Sequence, residues 1–279
     1  MRRSLVFMLV LAMAVGLAGC RSSQKAQPSS QPEQGTEAVQ KAQASTQTKQ
    51  PQAQDEEEIL KTISWFGHAD FMLKASTNGL KIYYVDPFEF NPQGKEKADI
   101  VFITHTHFDH CSVGQIQQIL KADTVIVSVP GCVESLNLPA ERLLLVEPNK
   151  SYELKEFKFR TVPAYNIKPE RTRFHPKANN WVGYIFNING KLIYHAGDTD
   201  FIDEMKPLVD EKLDVALLPI GGTFTMDVDE AIQAANAIKA KITIPMHYFR
   251  LLGDKAKEAE EKFKAGVTNS KVVILQPVR

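Results

Sequence analysis

The residues most able to do chemistry lie in one short segment, ITHTHFDHCS (103–112). Its metal-binding side chains are His105, His107, Asp109 and His110, and three of the chain's seven histidines are among them. A strand sends alternate side chains to one face, so His105 and His107 can point the same way. If the chain then turns, Asp109 and His110 face a second point, and one loop supplies two ligands to each of two ions. Neutral imidazoles and carboxylates suit zinc, and also iron or manganese.

Strand-like segments must position this loop. They are short, apolar and β-branched, and three of them, DIVFIT, KLIYHAGD and KITIPMH, lead into His or Asp. Side chains at the carboxyl ends of neighbouring strands converge on one edge of a sheet, where ligand sites tend to lie. Cap and stop signals predict helices over 112–122, 227–240 and 254–266. This order of elements predicts an α/β layered sandwich rather than strict βαβ alternation.

The first twenty residues have the pattern of an export signal. Arg2 and Arg3 precede an apolar run (5–17) that is too short for a confident membrane span, and the stretch LAGC ends at Cys20. This stretch resembles a bacterial lipoprotein signal, in which residues 1–19 are removed and the cysteine carries the lipid. An ordinary secretory signal with an incidental cysteine is the alternative. A lipoprotein would be extracytoplasmic and anchored by lipid, such as palmitate, to a bacterial cell membrane, inner or outer.

Residues 20–58 are predicted to be the lipidated cysteine followed by a disordered tether. The stretch 21–56 contains no aromatic residue and is dominated by Gln, Ser, Ala, Pro and Thr. Such a segment cannot bury enough apolar surface to offset its chain entropy. Residues 59–279 are long enough for one large domain with a substantial core.

Charge and cysteine content narrow the classes of partner. The full chain has 33 basic and 33 acidic residues, and it has neither a basic stripe nor an aromatic–basic alternation. Nucleic acid is therefore not an expected partner. The expected partners are a small-molecule or lipid substrate and the membrane, while the oligomeric state is left open. Beyond Cys20, Cys111 and Cys132 allow one disulfide but not a disulfide scaffold.

The central motif resembles a known family. HTHFDH matches the H-x-H-x-D-H signature of the metallo-β-lactamase superfamily. The segments WFGHADFML, VDPF, YHAGDTD, LLPIGGTFTM and IPMHY follow the order found in its UlaG-like and N-acyl-phosphatidylethanolamine phospholipase D-like hydrolases. The resemblance covers residues 60–277. It implies an αββα four-layer sandwich built of two similar halves.

The resemblance also implies a site for two divalent ions, with zinc as the expected metal and manganese or iron as alternatives. His105 and His107 would bind one ion. Asp109, His110 and His247 would bind the other. The alternative for His247 is a core histidine beside its neighbouring tyrosine.

Two aspartates receive roles from the same resemblance. Asp198 of the HAGD segment would bridge the two ions, and Asp86 of VDPF would hydrogen-bond to a ligand and fix its orientation. An aspartate in a Gly-Asp turn is the alternative for Asp198, and a turn before Pro87 is the alternative for Asp86.

One position departs from the family pattern. The family usually offers a further histidine in a P-A-x-H stretch, and here PAYN places Asn166 at that position. An amide oxygen is a weaker and harder ligand than imidazole. The first site would then be loosely held, or would favour manganese or iron, or would recruit His175 from RTRFHPK. A substrate-binding role for His175 is equally open.

The remaining candidates are placed around the site. His195 is expected to be a neighbour rather than a ligand. His68 is expected to line the pocket or to serve the fold. Thr223 and Thr225 lie in a glycine-containing loop that either contacts substrate or only joins a strand to a helix. Cys111 adjoins the ligand loop, where a buried small residue is the expected role and support of a metal ligand is the alternative.

The predicted function is a membrane-tethered metal-dependent hydrolase that uses a metal-bound hydroxide to cleave an ester, lactone or phosphodiester; an amide is a further option. Asp109 would be the catalytic residue that receives or relays a proton. No G-x-S-x-G nucleophile elbow is present. The alternatives are a non-catalytic lipoprotein that captures metal or solute, and a di-iron redox protein, although nothing resembles an attached flavin-binding domain.

Overall fold

A computed structural model describes residues 54–76, 79–88 and 90–278. The predicted signal peptide (1–19), the lipidation site Cys20 and the tether up to residue 53 lie outside the described residues. No helix among the described residues combines the length and the apolar character that a membrane crossing requires.

The predicted tether boundary at residue 58 is corrected by a helix, α1, over residues 54–61. Ile59 of α1 is buried in the core. Two ion pairs hold the first turn of α1. Asp55 lies 3.0 Å from Lys191, and Glu56 lies 2.8 Å from Lys271. The packed domain therefore begins before residue 59.

Two mixed sheets follow. The first contains six strands hydrogen-bonded in chain order, which are β1 (Ile63–Gly67), β2 (Asp70–Ala75), β3 (Lys81–Val85), β4 (Ile100–Ile103), β5 (Val125–Ser128) and β6 (Leu143–Leu145). The second has the order β13-β12-β11-β10-β9-β8-β7, with strands β7 (Ser151–Leu154), β8 (Phe157–Pro163), β9 (Val182–Ile188), β10 (Lys191–His195), β11 (Val215–Pro219), β12 (Ile242–Met246) and β13 (Lys271–Val272).

The pairing pattern is the same in both sheets. The first sheet starts with antiparallel pairs from β1 to β3 and continues with parallel pairs from β3 to β6. The second starts with antiparallel pairs from β7 to β10 and continues with parallel pairs to β13. This repetition fits the two similar halves that the sequence predicts.

The helices beyond α1 are α2 (Val113–Ile119), α3 (Val228–Ile238), α4 (Phe249–Leu252) and α5 (Ala256–Gly266). The predicted helix over 112–122 ends earlier, because Leu120 is already extended, and its cap residue Ser112 makes no side-chain cap bond. Asp227 and Glu230 form a reciprocal capping box at the start of α3. The predicted helix over 254–266 starts with a 3₁₀ turn, Gly253–Lys255, and becomes α-helical at Ala256.

The inner strands β2 to β5 of the first sheet are buried on both faces, which explains their continuous apolar runs. In β4, Ile100 and Phe102 enter the core between the sheets, and Val101 and Ile103 face the second core beneath α2. Phe102 meets Phe186 of the opposite sheet with ring centroids 4.8 Å apart. The predicted α/β sandwich is thereby confirmed, and the ends of its central strands are held in place by packing.

Candidate metal centre

Strands of both sheets end at the same edge and bring the polar cluster together there. Asp86 follows β3, the HTHFDH loop follows β4, Asp198 follows β10, and His247 follows β12. The two halves are joined at this edge, because the backbone N–H of His247 donates to the carbonyl of His68 over 2.9 Å. Parts of the chain that are far apart in sequence therefore line one site.

Asp198 enters the site through a turn that requires glycine. Gly197 has a φ of +64°, and a Cβ there would lie 3.0 Å from the carbonyl oxygen of Val182 and 3.2 Å from Thr104. A side chain at position 197 would therefore be strained and crowded. The Gly-Asp pair of the HAGD segment is explained by this close approach.

The cluster contains two groups of potential ligands. Group A consists of His105, His107 and His175, each of which offers one ring nitrogen within 4.8 Å of the others. His105 Nε2 lies 3.0 Å from His107 Nδ1. The structure thus places His175, which is remote in sequence from the HTHFDH loop, beside the histidines predicted for the first metal.

Group B consists of His68, Asp109, His110 and His247, whose ligand atoms also lie within 4.8 Å of one another. The sequence predicts the last three of these as ligands and treats His68 as a pocket residue. In the structure His68 is buried, has a positive φ of 49°, and donates through Nε2 to Asp109 Oδ2 over 3.0 Å. His68 is therefore an integral member of group B.

Asp198 lies between the two groups. Its Oδ2 is 3.3 Å from His175 Nε2 and 4.0 Å from His105 Nε2 in group A. The same oxygen is 3.0 Å from His247 Nε2 and 3.5 Å from His110 Nε2 in group B. One carboxylate oxygen at this position can contact ligands of both groups, which is the arrangement that a bridging ligand needs.

Several buried polar atoms of the cluster have no hydrogen-bond partner within the described part of the chain. They are His68 Nδ1, His110 Nε2, His175 Nε2, Asp198 Oδ1, His247 Nδ1 and His247 Nε2. A buried donor or acceptor left unsatisfied costs about 1–3 kcal/mol. Their concentration at one point, with only imidazole and carboxylate donors, fits a metal cation, which would satisfy several of them together.

The outer ring nitrogens of the histidines are held by hydrogen bonds that leave the inner nitrogens facing the cluster. Asp86 Oδ2 accepts from His110 Nδ1 over 2.8 Å and from Thr104 Oγ1 over 2.7 Å. Thr104 Oγ1 also lies 2.9 Å from His105 Nδ1 and can accept its proton. In the neutral form of either ring, these hydrogen bonds leave Nε2 as the unprotonated nitrogen, which is the form that binds metals. Thr104 has no motif of its own and is not a sequence candidate.

Electrostatics favour a cation at this point. Burial lowers the pKa of His105 well below its ordinary value, so this imidazole is neutral. Burial raises the pKa of Asp198, but the imidazoles of His247 and His110 outweigh burial and hold the pKa well below its usual range. For His110 the two effects have opposite signs. Burial lowers its pKa, but Asp198 and Asp86 outweigh burial and raise the pKa well above the ordinary value. The carboxylates thus favour positive charge among the imidazoles.

Asn166 lies beside group A, and both ends of its amide are hydrogen-bonded. Its Oδ1 accepts from His175 Nδ1 over 2.8 Å, and its Nδ2 donates to Asp200 Oδ1 and to the carbonyl of Phe224. The amide oxygen therefore contacts His175 and orients its ring. Because His175 lies in group A, its Nε2 can take the place of the histidine that the family pattern expects at position 166.

A buried ion-pair network supports this orientation. Arg171 lies 2.9 Å from Asp200 Oδ1 and 2.5 Å from Glu230 Oε2, and it donates to the carbonyls of Gly222 and Thr225. Neither Arg171 nor Asp200 is a sequence candidate. The signal that could have identified Asp200 is its place in HAGDTD, two residues after Asp198.

Three other candidates lie outside the two groups. His195 donates through Nε2 to the carbonyl of Ala69 over 2.9 Å and accepts from Gly197 N–H, so it links the two halves beside the site. Thr223 is exposed on the loop after β11, and Thr225 is buried in the same loop. Phe224 lies between these two threonines, and its carbonyl oxygen is 3.1 Å from His175 Nδ1.

Cys111 and Cys132 form a disulfide, the pairing that two cysteines in the domain allow. The bond joins the residue after His110 to the loop after β5, so it restrains the HTHFDH loop. The expected role of Cys111 as a buried small residue is corrected, because the residue is partly exposed and bonded.

Replacing Asn166 by alanine is expected to weaken metal binding at group A by about 10- to 100-fold, the usual effect of losing a partner that orients a ligand. The metal titration can be followed by fluorescence, because the Trp181 ring lies 4.9 Å from the rings of His105 and His107. Exposed Asn269, changed to alanine, is the matched control. Equal zinc affinity in both variants would contradict the positioning role of Asn166.

The fold and the site together define the class of protein. A sandwich of two mixed sheets with a His/Asp cluster at one edge is the architecture of a metallo-β-lactamase-type enzyme. The family model described as the beta-lactamase superfamily domain matches residues 62–247. The chain therefore belongs to the beta-lactamase superfamily.

Individual relatives narrow the class further. A UPF0173 metal-dependent hydrolase of Thermoplasma acidophilum is 35% identical over 222 residues, covering 76% of this chain and 94% of that protein. A crystal structure from Parabacteroides distasonis has a TM-score of 0.64 at 33% identity and covers 77% of this chain and 93% of its own. Igni18, a metallo hydrolase of Ignicoccus hospitalis, has a TM-score of 0.62 at 25% identity, with 78% and 95% covered. The predicted enzyme class, a metal-dependent hydrolase with this fold, is confirmed.

Proposed function

We propose that this hydrolase works with two divalent ions, one at group A and one at group B, with Asp198 as their shared ligand. The observation that carries the proposal is the position of Asp198 Oδ2, which lies within 3.0–4.0 Å of Nε2 atoms from both groups. Zinc is the metal that a set of imidazoles and carboxylates most often binds, and manganese and iron are the alternatives.

When bound, two such ions supply Lewis acidity that lowers the pKa of a water and polarises the oxygen of the bond to be cleaved. The protein's own part is positioning and proton transfer. Asp86, Thr104 and Asn166 fix the ring orientations of His110, His105 and His175. Their donor and acceptor roles are filled before substrate arrives, so no reorganisation is needed at the moment of reaction.

Asp109 is the residue best placed to receive a proton. Its carboxylate belongs to group B but is about a quarter exposed, whereas His68 beside it is buried. Burial raises the pKa of Asp109, but the hydrogen bond from His68 and the nearby His110 outweigh burial and lower the pKa below its usual range. An ionised carboxylate at the solvent side of the cluster can accept a proton and pass it outward.

The proposed substrates are esters, lactones or phosphodiesters of a small molecule or a lipid. These groups have an oxygen that a metal ion can polarise and a leaving group that departs as an oxyanion. The similarity of the motifs to UlaG-like and N-acyl-phosphatidylethanolamine phospholipase D-like hydrolases supports this range. An amide is a further proposed substrate, because its carbonyl oxygen can be polarised in the same way.

We also propose that the protein is an extracytoplasmic lipoprotein, with lipid such as palmitate on Cys20. Two independent features support this location. The first is the lipoprotein-like stretch that ends at Cys20, and the second is the Cys111–Cys132 disulfide, because disulfides persist mainly in oxidising compartments. Metabolic labelling with a palmitate analogue, compared between the natural chain and Cys20→Ala, tests the anchor.

Changing Asp109 to asparagine is expected to lower kcat about 100-fold at saturating zinc, because general acid–base groups contribute about 10²–10⁴-fold. The measurement is turnover of bis(4-nitrophenyl) phosphate and of 4-nitrophenyl esters, with zinc content determined in parallel. Asp203→Asn is the matched control, since this aspartate is exposed on the 3₁₀ segment Asp203–Glu211.

Three outcomes would contradict the proposal. Unchanged turnover in Asp109→Asn would remove its proton-transfer role. A wild-type protein that binds one ion tightly and cleaves none of these substrates would favour the capture of metal or solute. Reduction of a small molecule by an iron-loaded protein would favour the redox alternative.

A further inference from the structure

The edge of the metal centre carries exposed apolar side chains. Among the described residues, three of the six exposed large hydrophobic side chains lie within two positions of a residue of the site. Ile167 follows Asn166, Phe249 comes two residues after His247, and Phe108 stands inside the HTHFDH loop itself. Apolar exposure at one edge is a common feature of ligand-binding surfaces.

Phe108 is the most exposed of these side chains, at 73%. It lies between His107 of group A and Asp109 of group B. Such exposure means that its ring contributes little to the core, and a polar residue would fit the solvent there better. The ring is therefore poorly explained by the fold alone.

Phe88 extends this apolar surface toward group B. Its ring centroid lies 5.7 Å from that of Phe108, with the rings nearly perpendicular, and 5.8 Å from the imidazole of His68. The guanidinium of Arg250 lies over the Phe88 ring, 5.6 Å from its centroid, which is a cation–π distance. Phe88 and Phe108, which we call the aromatic wall, thus extend from the solvent to His68 of group B.

We infer that the substrate carries an apolar acyl or aryl group of several carbons that lies against the aromatic wall. This inference rests on the proposed function, because it concerns the substrate cleaved at groups A and B. A bond held beside Asp109 has Phe108 as its immediate neighbour, so the flanking part of the substrate passes over that ring. Aromatic faces discriminate for apolar groups and offer no hydrogen bonds to a sugar or another polyhydroxylated group.

The test compares 4-nitrophenyl acetate, butyrate and octanoate, with the full chain and two equivalents of zinc. We expect kcat/KM to be at least about tenfold higher for octanoate than for acetate. One methylene enclosed in an apolar pocket contributes a discrimination of about 10-fold or more, and a wall that covers the acyl chain on one side only contributes less per methylene. Octanoate added as a competitor should also inhibit more strongly than acetate, which measures binding independently of turnover.

Variants assign this preference to the wall. In Phe108→Ala the ratio of kcat/KM for octanoate to kcat/KM for acetate is expected to fall about tenfold, and Phe108→Leu should restore most of it. Phe88→Ala should have the same direction of effect. Leu80→Ala is the matched control, because Leu80 is another exposed apolar residue, 60% exposed, outside the metal edge.

The outcomes separate this inference from the function beneath it. No turnover of any ester or of bis(4-nitrophenyl) phosphate by the zinc-loaded protein would overturn the proposed hydrolysis itself. Turnover with equal kcat/KM for acetate and octanoate would overturn only the apolar substrate. A Phe108→Ala variant with unchanged selectivity but altered oligomeric state or altered binding to phosphatidylcholine vesicles would assign the wall to a second copy or a bilayer instead.

Discussion

Replacing Asp198 by alanine is expected to abolish metal binding at both groups and to lower kcat/KM by on the order of 10³-fold or more. Loss of a residue that merely orients a ligand costs about 10–100-fold in metal affinity, and Asp198 contacts ligands of both groups directly. The catalytic loss follows because charge stabilisation by metal is worth several kcal/mol in the transition state.

The measurement for Asp198→Ala is metal content after dialysis, followed by turnover at saturating zinc. Asp203→Asn controls for the loss of one carboxylate elsewhere, and circular dichroism establishes that the variant is folded. A folded variant that still retains two equivalents of zinc would show that this carboxylate does not bridge the ions.

Replacing Arg171 by methionine is expected to lower the free energy of unfolding by about 3–5 kcal/mol, the cost of leaving buried charges uncompensated. Asp200 is fully buried and would lose the guanidinium 2.9 Å from its Oδ1. The carbonyls of Gly222 and Thr225 would lose their donor as well. For a domain of this size the loss corresponds to a decrease in Tm of roughly 10 °C.

Thermal unfolding of the metal-free protein measures the effect of Arg171→Met without a contribution from bound zinc. Arg173→Met is the matched control, because Arg173 is exposed two residues away and its change should cost less than about 0.5 kcal/mol. Equal Tm values for the two variants would show that the buried network does not stabilise the fold. A zinc titration of the same pair reports whether His175 is displaced.

The local part of the site is predictable from sequence, because HTHFDH packs its candidate ligands into one loop after a strand. Asp198 and His247 are predictable for a related reason: each follows an apolar strand, and parallel strands bring their carboxyl ends to one edge. The layered α/β architecture follows from the same runs. These features are predictable because they depend on residues that are close together in the sequence.

The position of His175 is not predictable in this way. It lies in an irregular segment between β8 and β9, and its orientation comes from Asn166, which is held in turn by Asp200. These contacts join residues 9 and 34 positions apart through an irregular segment, and they have no periodic signal. The same reason applies to Thr104, whose hydroxyl acts only because Asp86 and His105 lie on either side of it.

The start of the domain and the disulfide mark two further limits. A stretch rich in Gln and Glu carries no apolar stripe, so the sequence places residues 54–58 in the tether, whereas ion pairs and a buried Ile59 order them as helix α1. Cys111 and Cys132 are 21 positions apart, and only the fold brings their side chains together.

All seven histidines of the chain lie at one location: six belong to groups A and B, and His195 is hydrogen-bonded to the turn that leads to Asp198. Imidazole resonances in a nuclear magnetic resonance spectrum of this protein would consequently carry no background from elsewhere. Isotope labelling of histidine alone would therefore give signals that all report on the candidate metal centre and its immediate surroundings.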